Sequence, residues 1–209
     1  MTYRRPEIDA PVFRDADGRV IDYGNRWSGS PPEDTYSVDT HPERFAPLSV
    51  VADALVDHLR ETFEVEVDAE EIAADPVHPQ IQALRQVRIT PADPRSAPLT
   101  FVFTAYPGVV VHAGLLNSFH YPHCGCDACD ESWELQADEL EADVLAVVAG
   151  GYQESVRLGH EPWVGYSITR SDGGRSSSGL VEEGPDRLSA AEPVLRDLDG
   201  AWAPWPPRG

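Results

Sequence analysis

Apolar residues fall at Leu48, Val51, Ala52, Leu55, Leu59 and Phe63. Steps of three and four put them on one stripe, which predicts a helix over 48–63 with one buried face. The stretch Asp68-Ala-Glu-Glu71 resembles a capping box and predicts a short helix around 69–74, ended by Asp75-Pro76. The period then changes to two. In Arg85–Thr90, Val87 and Ile89 share a face, and in Leu99–Ala105 the residues Leu99, Phe101, Phe103 and Ala105 oppose Thr100, Val102 and Thr104. After the turn signal Tyr106-Pro-Gly108, the run Val109–Leu115 resumes the alternation with Val109, Val111, Ala113 and Leu115. Alternating β-branched and aromatic residues predict three antiparallel strands, a meander with one covered face.

Helical spacing returns at Trp133, Leu140, Val144, Val147, Val148 and Tyr152. Gly150-Gly151 weakens this helix, which therefore ends near 149 or runs on to about 157. A hairpin is predicted between Trp163–Arg170 and Ser176–Glu183, turning at Asp172-Gly-Gly174. Together these elements give an α+β protein. An antiparallel sheet of about five strands, the meander plus the hairpin, carries two main helices on one face. Six prolines in 1–47 and five in 185–209 oppose regular structure. The chain thus divides into an N-terminal arm (1–47), a core (48–183) and a Pro/Trp-rich C-terminal arm (184–209), one domain in all.

Charge narrows the function. The chain has 36 acidic against 16 basic residues, a formal net charge of −20, and every basic residue other than His is Arg. Such a field repels phosphate backbones and anionic membranes, which argues against nucleic-acid and membrane binding and favours a cation or a basic protein partner. The opening residues MTYRRPEIDAPV lack the apolar core of a signal peptide, and no apolar run is long enough to span a bilayer. These features predict a cytoplasmic protein. Thiols there stay reduced, so its three cysteines read as ligands or reactive groups rather than as a disulfide framework.

All three lie in Phe119-His120-Tyr-Pro-His123-Cys124-Gly-Cys126-Asp-Ala-Cys129-Asp-Glu, between a strand and the long helix. In a C-x-x-C, a single turn can aim two sulfurs at one point about 2.3 Å from each. Gly125 has the backbone freedom to bring Cys124 round as a third ligand. A tetrahedral Zn(II) needs one more donor; His120 has easier geometry than His123, and His112, His160 or an Asp are more distant choices. Soft thiolates suit zinc better than magnesium or calcium. Two other readings stay open: inert reduced thiols or an incidental disulfide, and a reactive Cys129 near a helix N-terminus capped by Asp127, although the neighbouring acids disfavour a thiolate. The leading expectation is a non-enzymatic binding protein with a structural metal or thiol knot. The alternative is a zinc- or cysteine-dependent enzyme using the Cys124/Cys126/Cys129 region.

The run Cys-Gly-Cys-Asp-Ala-Cys-Asp-Glu (124–131), together with Tyr36-Ser-Val-Asp-Thr-His-Pro-Glu-Arg-Phe45, resembles a family of uncharacterised proteins from GC-rich bacteria, a domain of unknown function. The resemblance implies no activity or ligand; it implies that the two stretches belong to one protein type.

Other features read more plainly. The acids Glu131, Glu134, Asp138, Glu139, Glu141 and Asp143 form either a docking face or a solvated helix face. Asp15-Ala-Asp17-Gly18 is a turn rather than a calcium loop. His41, Glu43 and Arg44 could form a site, but more often such residues staple the start of a helix. His58 reads as a boundary residue and His112 as a hydrogen-bonded strand histidine. Gly173-Gly174-Arg175 has no following helix to make a phosphate cradle, and no G-x-S-x-G elbow marks a serine nucleophile. Trp202 and Trp205 either pack on the core or dock on a partner.

Overall fold

A computed structural model describes residues 2–171, 173–180 and 185–209. Among these, helix α1 spans Pro47–Thr62, α2 Trp133–Val148 and α3 Pro185–Asp197. Strands β1 (Val65–Glu71), β2 (Ala83–Pro91), β3 (Leu99–Thr104), β4 (Gly108–Ala113) and β5 (Asn117–Tyr121) form a five-stranded antiparallel sheet in chain order. A second sheet of three strands holds β6 (Tyr152–Arg157), β7 (Trp163–Arg170) and β8 (Gly173–Leu180). The α+β class and the five-stranded antiparallel sheet agree with the pattern reading. The hairpin, however, belongs to the separate sheet rather than completing the first.

The inner face of the large sheet presents Val87, Ile89, Leu99, Phe101, Phe103, Val109, Val111, Ala113, Phe119 and Tyr121. These join Leu48, Val51, Ala52, Leu55 and Leu59 of α1 and Leu140, Val144 and Val147 of α2 in one buried core. Helix α2 starts where Ser132 accepts a hydrogen bond from the Leu135 amide, and it stops at Ala149, before Gly150 at φ +82°.

Several local expectations are corrected. The segment around 69–74 is not helical: 65–71 pairs along its whole length with β2, from Val65↔Pro91 to Glu71↔Arg85. Pairing satisfies the amides that face β2, and Glu66, Asp68, Glu70 and Glu71 leave a charged sheet edge that discourages further strand addition. The helix does not run to 157; Tyr152–Arg157 is β6, paired with β7. Arg170 pairs with Gly173, so β8 begins three residues earlier than expected, while Asp172 and 181–183 lie outside the described residues. The proline-rich C-terminal segment contains α3, with Pro193 inside it.

Segment 72–82, between β1 and β2, folds over the outer face of the large sheet. There Ile72 and Ile81 cover Ala83, Val102 and Val110 in a second small cluster. The chain after α3 drapes over the core. Trp202 Nε1 donates to Glu154 Oε2 at 3.0 Å and Trp205 Nε1 to the Ala97 carbonyl at 2.9 Å. Both rings are buried. No helix among the described residues is long and apolar enough to cross a membrane.

Candidate metal centre

The loop between β5 and α2 is short and heavily anchored. Gly125 sits at φ +82°, where side chains are rarely tolerated, and an added Cβ would lie 2.3 Å from the Tyr106 hydroxyl. The Glu131 carboxylate accepts hydrogen bonds from the amides of Cys124 (3.1 Å) and Gly125 (2.9 Å), clasping the loop at its base. The Cys129 amide closes a turn onto the Cys126 carbonyl at 3.2 Å. These constraints bring all three sulfurs to within 4.8 Å of one another. Cys124 and Cys126 sulfurs are 3.3 Å apart and those of Cys126 and Cys129 3.4 Å, all three thiols being free. Tetrahedral thiolates on zinc stand roughly 3.8 Å apart, so the loop needs to open only slightly to hold one ion.

The electrostatics single out Cys126. Burial opposes its ionisation, but the amides of Cys129 and Ser37 and the sulfur contacts with Cys124 and Cys129 outweigh it, and the balance lowers its pKa. Cys129 is pushed up to about 12, first by its hydrogen bond with Cys124, then by that with Cys126, with burial adding to both. Cys126 is thus easier to ionise than Cys129, and a divalent cation would take all three sulfurs as thiolates.

The N-terminal segment supplies the rest of the frame. The Asp127 amide donates to the Val38 carbonyl at 2.7 Å and the Ala128 amide to the Thr35 carbonyl at 3.0 Å. The Asp127 carboxylate accepts from the Thr40 hydroxyl, and its carbonyl from Trp27 Nε1 at 3.2 Å and from Arg26. Arg26 also binds Asp130 through its backbone amide (2.8 Å) and its guanidinium. Arg44 is 2% exposed. It donates to the carbonyls of Gly125 (2.6 Å) and His41 (3.0 Å), with Tyr23 and Phe45 rings each 4.4 Å away. The two stretches 36–45 and 124–131 are therefore in direct contact.

The chain belongs to a family of unknown function. The matching family model, "Family of unknown function (DUF6226)", covers residues 9–209, and so takes in both stretches. No curated protein and no solved structure matches.

Of the residues considered as ligands in this family member, the structure brings together Cys124, Cys126 and Cys129. The two histidines make other contacts in the structure. His123 Nδ1 lies 3.1 Å from Gln136 Oε1 and its Nε2 3.4 Å from Glu139 on α2. His120 lies on β5 with its ring 5.5 Å from that of His78. Spacing alone could not show this, because both orientations are set by groups distant in sequence. Reading the sequence also missed Ser37, Thr40 and Arg26; only Arg44 had been noticed, and for another reason. The acidic run is largely engaged within the protein: Arg5 binds Asp138 and Glu141, and Arg170 and Arg175 bind Asp143.

Proposed function

We propose that this protein is a zinc-binding protein in which Cys124, Cys126 and Cys129 hold one ion as a structural knot. The observation that carries this reading is the convergence of three free sulfurs on a loop clamped by Glu131 and Arg44. Three thiolates and one Zn(II) sum to a net charge of −1, which blunts the Lewis acidity a catalytic zinc requires. The fourth position is filled by water or by a donor from a partner. The knot's work is to fasten 23–45 against the core, since those residues contact the cysteine loop.

In this reading the locked surface binds a protein partner, and a net charge of −20 selects a basic one. The thiols call for a reducing compartment, which fits a cytoplasmic setting. Elemental analysis of protein purified without a metal-affinity step tests the centre, alongside a free-thiol count. One equivalent of zinc with blocked thiols supports it, and His120→Ala and His123→Ala should both retain the metal. Three titratable thiols and no metal would refute it.

A further inference from the structure

A second constellation lies on the outer face of the large sheet, under segment 72–82. Asp75 is 1% exposed, and its Oδ1 accepts hydrogen bonds from the amides of Val77 (2.7 Å) and His78 (2.8 Å). That leaves Oδ2 to face His112 Nε2 at 3.1 Å. The other ring nitrogen, Nδ1, lies 2.8 Å from Ser118 Oγ. An ionised carboxylate only accepts, so the proton sits on Nε2, and Nδ1 offers its lone pair to the Ser118 hydroxyl. Asp75 is held ionised: burial opposes this, but His112 and the two amides outweigh it and bring its pKa down to about 2.

Ser118 is half-buried and opens onto a cavity of about 250 Å³. Its walls include His78, His120, Tyr166, Ser177 and Ser178, so it spans from β5 to the second sheet. Strand alternation puts Ser118 and His120 on the same face of β5, opposite the core residues Phe119 and Tyr121.

We propose that Ser118, His112 and Asp75 form a nucleophile, a base and a positioning carboxylate that cleave a small carboxylic ester seated in this cavity. Ser118 Oγ passes its proton to His112 Nδ1 as it bonds to the acyl carbon. The ester C–O bond then breaks, and the departing alkoxide takes the proton from Nδ1. Water, deprotonated by Nδ1, next attacks the acyl group, releasing the acid and restoring Ser118. His78 and His120, on the cavity wall, are the N–H donors available to the developing oxyanion. The acidic protein favours a neutral or cationic ester.

The test uses the full chain and a fluorophosphonate probe, which loses fluoride as Ser118 Oγ bonds to phosphorus. Peptide mass spectrometry locates the adduct. The folded wild type is expected to be labelled at Ser118. Ser118→Ala should lose the adduct, and His112→Gln should slow labelling by about a hundredfold. Asp75→Asn should slow it too, since the carboxylate no longer holds the ring in the orientation that presents Nδ1 to Ser118. The groups about His112 are Asp75, Ser118, His78, whose ring lies 6.0 Å away, and His120. An unlabelled Ser118 in folded wild type would overturn the proposal, whatever the variants do. So would equal labelling in a His112→Gln variant that melts cooperatively.

Discussion

Arg44 Nη2 donates to the carbonyl oxygen of Gly125 at 2.6 Å, joining residues 81 positions apart. The guanidinium also faces Asp127 at 3.8 Å, with both side chains almost entirely out of solvent. Removing one member of a buried charged set leaves the other uncompensated. Arg44→Met is therefore expected to lower the unfolding free energy by about 3–5 kcal/mol in urea titration. The same variant should give up its metal at lower chelator concentration than wild type.

Gly125→Ala tests the loop more locally. The new methyl would meet the Tyr106 hydroxyl at 2.3 Å, on a backbone at φ +82°. Metal affinity should fall by at least about tenfold, as for other disturbed supports of a metal site. Tyr106→Phe in the same background removes the clashing oxygen and should recover part of that loss. Competition with a chromogenic chelator measures both.

A third prediction concerns α2. Asp143 is 2% exposed; its Oδ2 accepts from the Tyr121 hydroxyl at 2.5 Å, and its Oδ1 from Arg170 Nε at 3.0 Å. Arg175 also pairs with it. Asp143→Ala strips two guanidinium groups and a buried phenol of their acceptor. A loss of about 3–5 kcal/mol is expected by chemical denaturation, against less than about 1 kcal/mol for Asp57→Ala, whose exposed pair with Arg60 contributes little.

Stability should fall at acid pH in two stages. His120 has a lowered pKa, chiefly from burial and then from the neighbouring His78 and His112. The folded protein therefore resists a proton the unfolded chain accepts, and stability declines as the pH drops below the ordinary imidazole value of 6.5. Asp75 is depressed from 3.8 to about 2, so its contribution, of about 2 kcal/mol, is complete above the unfolded value. It is lost as the pH falls from about 4 towards 2. Thermal melts across pH 2–8 should show both stages. His120→Gln should remove the upper one and Asp75→Asn the lower; unchanged profiles would contradict these assignments.

The sequence by itself determined the parts whose signal is periodic and local. Helices α1 and α2 and strands β2, β3 and β4 lay close to where the apolar spacing put them, because burying one face repeats with the geometry of the element. The sulfurs' convergence was also legible, since the three cysteines span only six residues. Tertiary structure decided the rest. A capping-box pattern at 68–71 yielded to pairing with β2, which satisfies more amides than one helical turn could. The hairpin's assignment to its own sheet, and α3 in a proline-bearing tail, depended on packing partners far along the chain. So did the partners of His120 and His123, the Ser37 amide at Cys126, and the alignment of Asp75, His112 and Ser118. Each is a directed contact between residues distant in sequence, and a directed contact leaves no period along the chain.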